Sequence, residues 1–184
     1  MPMRTSRPLL LLLPLLFAAC ATQSGPQLTP IGQAIPDGIS LAGSWQLREA
    51  GDAPGFDAAS AVSNRGRRSR QDKDGPLVHV FLEMGNRLKV TQTNHGLFVS
   101  FDRSVVEEYR FREHRRVNVG PIEAERVSGW EDGRYVIQTL DANGALLTET
   151  YALHDDGQQL LRTASIVYKE QETLSLLQVF DRLE

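Results

Sequence analysis

The chain has 184 residues, 41% of them hydrophobic and 23% charged, with a formal net charge of −3. That length and balance suit one compact domain and exclude the strongly basic surface of a general nucleic-acid binder. Its single cysteine, Cys20, excludes an internal disulfide framework and a Cys-rich zinc site.

Residues 1–19 carry Arg4 and Arg7, then an apolar run from Leu9 to Phe17, then Ala18 and Ala19. This is the layout of a secretory signal. The run is far shorter than the ~20 residues a spanning helix needs, and Pro14 interrupts it, so it is not read as a transmembrane segment. Phe17-Ala18-Ala19-Cys20 resembles the lipobox of bacterial lipoproteins. The resemblance implies cleavage before Cys20, diacylation of its thiol and acylation of the new amino terminus with chains such as palmitate. Each buried CH₂ of an acyl chain contributes ~0.8 kcal/mol, so such an anchor holds the protein to a membrane firmly. Ala21, where lipoproteins retained in the inner membrane carry Asp, implies the inner leaflet of the outer membrane, with the domain facing the periplasm.

From Cys20 to Gly38, Pro26, Pro30 and Pro36 among Gly, Gln, Ser and Thr give no apolar period, and the segment reads as a flexible tether. Residues 39–184 form the expected folded domain. Ile39–Arg48 has a short strand pattern in which Leu41, Trp45 and Leu47 share parity. Residues 49–75, punctuated by Gly51, Pro54, Gly55, Gly66 and Gly75, read as a mobile loop whose deletion should cost little stability. The loop carries Arg65, Arg67, Arg68 and Arg70, candidate contacts to an anionic surface; a solvated loop explains them equally well.

Pro76–Met84 suits either a helical turn or a strand. Beyond it come strand patterns at Arg87–Gln92, Leu97–Phe101, around Tyr109 and Phe111, Glu123–Trp130, Arg134–Leu140, Leu146–Leu153, Leu160–Tyr168 and Leu174–Phe180. Asp132-Gly133, Asn143-Gly144 and Asp156-Gly157 fall between consecutive patterns and supply the positive φ of tight hairpins. The expectation is an all-β, antiparallel up-and-down meander of about nine or ten strands forming a barrel or half-barrel, with a two-sheet sandwich as the competing architecture.

Gly43-Ser44-Trp45 on the first strand, followed by a long loop and a meander, resembles the lipocalin-like barrels. The resemblance implies that Trp45 plugs one end of the barrel, that residues 49–75 lie across the open mouth, and that Arg162 or Arg182 stacks on the tryptophan. Trp45, Trp130 and Tyr135 are the aromatics expected to line the interior or its mouth, though residues of this kind in strands are more often simply core.

Catalytic signals are missing. His79, His95, His114 and His154 are isolated from one another, and no Gly-x-Ser-x-Gly elbow or glycine-rich phosphate loop is present. Asp141-Ala142-Asn143-Gly144 lacks the remaining ligands of a calcium loop and reads as a hairpin. No metal, cofactor or nucleic-acid partner is expected. The leading expectation is a non-enzymatic envelope lipoprotein that binds a small apolar ligand or lipid, or serves another envelope protein as an accessory. The alternative is a protein-binding inhibitor, because Leu41–Leu47 also resembles the opening of small bacterial barrels that inhibit secreted proteases.

Overall fold

The computed structural model describes residues 27–32, 34–52 and 75–184. The signal segment, Cys20, the loop beyond Asp52 and its arginines Arg65, Arg67, Arg68 and Arg70 lie outside the described residues. Among these residues the alternating patterns become ten strands. They are β1 (Gly43–Asp52), β2 (Arg87–Gln92), β3 (Gly96–Phe101), β4 (Val105–Arg110), β5 (His114–Val119), β6 (Ile122–Glu131), β7 (Arg134–Asp141), β8 (Leu146–His154), β9 (Gln159–Tyr168) and β10 (Gln171–Leu183). Burial follows the alternation: in β9, Leu160, Arg162, Ala164 and Ile166 face inward while Thr163 and Val167 are exposed.

All ten form one antiparallel sheet in the order β4-β3-β2-β1-β10-β9-β8-β7-β6-β5. Pairing of the first strand with the last curls the meander round on itself, and the two edges left over are β4 and β5, which are consecutive in the chain. They part from a short connection. Near it the ring is nearly closed: Arg112 N–H donates to the Ser128 carbonyl at 3.1 Å, and Ser128 Oγ donates to the Arg110 carbonyl at 3.0 Å. Away from it the strands separate into a seam. The result is a curled half-barrel, not a two-sheet sandwich.

Three of the connections fall at the glycine dipeptides, where Gly133, Gly144 and Gly157 have φ of 77°, 82° and 84°. Three others reach positive φ without glycine, at Asp102-Arg103, Arg112 and Lys169-Glu170, so composition gave no sign of them.

The structure shifts several expected boundaries. The first strand begins at Gly43 rather than Ile39 and continues to Asp52, so Glu49–Asp52 pair with β10 instead of opening the loop. A bulge between Leu47 and Glu49 makes room for the extra residue, and main-chain bonds to the thirteen-residue β10 hold a stretch with little apolar character. Pro76–Met84 contains a single turn of 3-10 helix at Val78–Phe81. The stretch read as a tether is laid against the barrel in its later part: Ile35 packs on the core beside Ile39 of the folded domain, and the Ile31 backbone crosses Gly129 so closely that a Cβ there would lie 2.4 Å from the Ile31 carbonyl oxygen.

Two apolar clusters fill the two ends. One contains Leu41, Trp45, Tyr109, Trp130, Tyr135, Leu160 and Phe180, beneath the incoming Ile35–Leu41 segment. The other joins the 3-10 turn, through Val78, Phe81 and Leu82, to Leu147, Ile166 and Leu176. Asp141 ties that turn to the sheet. Its Oδ2 accepts from the Leu77 and Val78 amides at 2.6 and 2.8 Å, and its Oδ1 from the Asn143 and Ala145 amides at 2.9 and 2.8 Å.

Asp141→Ala strands amides that include those of the buried Val78 and Ala145. At roughly 1–3 kcal/mol for each buried donor left unpaired, a loss of about 3 kcal/mol is expected, or about 8 °C in Tm for a domain of this size. Thermal unfolding checks it. A fall of less than about 2 °C would mean that water replaces the carboxylate.

Candidate functional site

The end under the N-terminal segment is built around Trp45. Its ring is fully buried, its Nε1 donates to the Leu41 carbonyl at 3.1 Å, and the Arg182 guanidinium lies 4.1 Å above the ring centre. Arg182 also donates from Nη1 to the Ala42 carbonyl at 3.0 Å and from Nε to the Gly157 carbonyl at 2.7 Å. Gly43 has a φ of 153°, and a Cβ there would lie 2.6 Å from Arg182 Nη1, so a side chain at this position would have to displace the guanidinium. Of the two late arginines considered for the stack, the structure places Arg182 on Trp45 and Arg162 elsewhere.

Trp130 and Tyr135 join the same cluster. Their rings meet edge to face at 5.5 Å, and Tyr135 also contacts Phe111 at 5.3 Å and donates its hydroxyl to Ser128 Oγ at 2.9 Å. The three singled-out aromatics are therefore brought together, as packed core at one end.

Midway down the interior runs a polar band that was not foreseen. Arg162, on β9, is completely buried and pairs with Glu149 of β8 at 2.5 Å, with Gln178 Oε1 of β10 at 2.9 Å and with the Glu83 carbonyl at 2.8 Å. The Phe101 and Tyr151 rings flank its guanidinium at 5.1 and 5.6 Å. Arg126, on β6, pairs with Glu107 of β4 at 2.7 Å and donates to Thr139 Oγ1 at 3.0 Å, between the rings of Phe81 and Tyr109.

Burial alone would disfavour the charge on Arg162, but Tyr151 and Glu149 more than offset it, so the guanidinium stays protonated. Burial pushes the Tyr151 phenol well up, with Arg162 opposing the shift, and the phenol is neutral at any ordinary pH. Tyr109 is raised by the same cause, with Glu149 and Tyr151 adding to it and Arg126 opposing. The band is thus two ion pairs whose charges cancel, surrounded by neutral phenols. It carries an unfilled remainder: Glu149 Oε2, Arg162 Nε and the Tyr151 hydroxyl are buried and make no hydrogen bond of good geometry.

The signal for this band was present in strand parity. Glu149 lies between Leu147 and Tyr151, and Arg162 between Leu160 and Ala164, all at inward positions. A charge at the parity of a core face marks an interior group.

The seam between β4 and β5 opens toward this band. It holds a cleft of about 270 Å³ whose lining includes Phe81, Glu107, Glu108, Arg115, Val117 and Arg126. Ion pairs bridge it, Arg126 to Glu107 at the bottom and Arg115 of β5 to Glu108 of β4 at 3.7 Å. A second cleft, about 260 Å³, lies where Thr29–Gly32 cross Trp130, Glu131 and Gln138. Among the described residues no group of three His, Cys, Asp or Glu side chains is placed to hold a metal. None of the helical segments there is long and apolar enough to cross a membrane.

No protein-family model and no curated protein sequence matches the chain. Solved structures do. A fatty-acid-binding protein from Echinococcus granulosus superposes with a TM-score of 0.51 at 13% identity, covering 78% of this chain and 98% of that one. The fold is lipocalin-like. A fatty-acid-binding protein from Schistosoma mansoni, in complex with arachidonic acid, gives 0.50 at 13% identity over 78% of this chain and 96% of its own. A luciferase domain from the dinoflagellate Lingulodinium polyedrum gives 0.54 at 13% identity, covering 86% of this chain and 46% of that one. At such identities the likeness is one of fold, which hosts binding proteins and an enzyme alike.

Proposed function

We propose that the chain is a non-enzymatic envelope lipoprotein, anchored through acylated Cys20 at the inner leaflet of the outer membrane, whose half-barrel binds a small apolar ligand or lipid. The observation that carries the ligand half is the seam: an unpaired gap between β4 and β5, lined by Phe81 and Arg126, that leads from solvent to the polar band. A closed sheet would offer no such entrance. Support comes from the fold shared with two fatty-acid-binding proteins. The anchor rests on the charged start, the apolar run and the small residues that place the chain's single thiol at the processing boundary.

Each half has its own test. Intact mass spectrometry of the membrane-extracted protein is expected to show an N-terminal Cys20 carrying acyl chains; an unmodified Cys20 refutes the anchor. For the ligand, the full-length chain carrying Cys20→Ser is titrated with an environment-sensitive fatty-acyl fluorophore. Saturable binding that unlabelled lipid displaces is the expected result. Absence of saturable binding refutes the ligand half and leaves the anchor standing.

A further inference from the structure

The seam exposes two rows of main-chain groups. In an antiparallel ladder, successive residues turn their N–H and C=O to opposite sides of the strand. The Phe111 N–H donates to the His95 carbonyl at 2.9 Å and continues the β3–β4 register, so Val105, Glu107 and Tyr109 bond to β3. The main chain of Val106, Glu108 and Arg110 therefore points into the seam, and at its narrow end the Arg110 carbonyl accepts from Ser128 Oγ across it. On β5, the two-residue turn closed by Val119 and Ile122 directs Val117 and Arg115 to β6 and leaves Arg116 and Asn118 facing the seam. Among the described residues no main-chain bond crosses the gap at Val106, Glu108, Arg116 or Asn118.

Natural sheets cover such edges, charge them or twist them away. Here the two edges flank the cleft of about 270 Å³, and the rim is apolar on the β4 side. Val106 is 64% exposed and lies diagonal to the exposed Phe98 on the outer face of β3 and β4.

We propose that the seam accepts a strand from another protein: an extended segment of about four or five residues, alternately apolar and polar with an acid among the polar ones, seated between β4 and β5. A polypeptide backbone offers donors and acceptors at the spacing that both edges present, and a lipid chain offers none. Inward side chains of the segment meet Phe81 and Val117, and outward ones lie beside Val106 and Asn118. The acid answers Arg116. Arg126 pairs with Glu107 and Arg115 with Glu108, whereas Arg116 lines the cleft without an ion pair among the described residues. A second copy suits the site less well, because joining two chains through β4 brings their Glu107-Glu108 stretches together, and joining them through β5 does the same for Arg115-Arg116. The proposal goes beyond the apolar-ligand reading and does not depend on it.

The test titrates the full-length Cys20→Ser chain with a fluorescein-labelled peptide, Thr-Val-Asp-Val-Thr-Val-Thr, and with the same peptide N-methylated at its valines, which keeps every side chain and removes the donors of one edge. Saturable binding is expected, at least about tenfold weaker for the N-methylated peptide. Val106→Pro removes a seam-facing donor that β3 does not use, and is expected to weaken the peptide about fivefold. Arg116→Gln is expected to weaken it about threefold and to leave the affinity of an Asn-for-Asp peptide unchanged. That exposed variant keeps the test open should Val106→Pro fail to fold.

Absence of saturable binding, or equal binding of the N-methylated peptide, overturns the inference and leaves the apolar-ligand reading to its own titration with the fatty-acyl fluorophore. Sedimentation equilibrium that shows a dimer excluding the peptide assigns the seam to a second copy and refutes the inference as well.

Discussion

Glu149→Leu is expected to cost about 3–5 kcal/mol of stability, because it leaves the Arg162 guanidinium buried with its charge uncompensated. The remaining partners, Gln178 Oε1 and the Glu83 carbonyl, are neutral acceptors and replace only part of the interaction. Removing both ends of the pair together, as Glu149→Leu with Arg162→Met, is expected to recover most of that loss, since two well-packed apolar side chains then meet where two desolvated charges were. Urea unfolding of the two single variants and the double variant measures this as a coupling energy. A loss below about 1 kcal/mol for Glu149→Leu would show that water reaches the pair and that the band is not a dry interior.

Much of the fold was legible because strands advertise themselves through alternation. Leu88 and Val90 against Lys89 and Thr91, or Leu160 and Ala164 against Thr163, state which side faces inward, and the glycine dipeptides state where the chain reverses. What escaped notice did so for physical reasons. Strand β5, with the sequence His-Arg-Arg-Val-Asn-Val, lies at the seam edge with only half-buried inward positions, so it shows no apolar face to read. Glu49–Asp52 are held by main-chain pairing to β10, an interaction to which side-chain character is nearly irrelevant. Ile35 finds its core only because the sheet curls beneath it.

The site divides in the same way. A Gly-Ser-Trp start implied a buried Trp45 and a late arginine, because that pair is local to one barrel end, but two arginines fitted the requirement and only the pairing of Trp45 with Arg182 across β1 and β10 separates them. The polar band joins β4, β6, β8, β9 and β10, and no linear spacing encodes which inward charges become partners.

Trp45→Ala is expected to be comparably damaging, at about 3–5 kcal/mol, since it removes a fully buried indole from the centre of one apolar cluster. Part of that loss is not cavity formation. Arg182 is held by the Ala42 and Gly157 carbonyls above the ring, and without the indole its guanidinium keeps those two acceptors but loses the aromatic face beneath it. Trp45→Phe separates the contributions: it keeps an apolar ring in the cavity, gives up the Nε1 bond to Leu41, and offers a weaker face to the cation. A double-mutant cycle of Trp45→Phe with Arg182→Gln is expected to show about 1 kcal/mol of coupling, the range of a partly desolvated cation over an aromatic ring. Additive effects in that cycle would mean that Arg182 serves only to tie the two carbonyls together. A Trp45→Ala loss under about 1.5 kcal/mol would show that the Ile35–Leu41 segment collapses into the space and that this segment, not the indole, closes the end of the barrel.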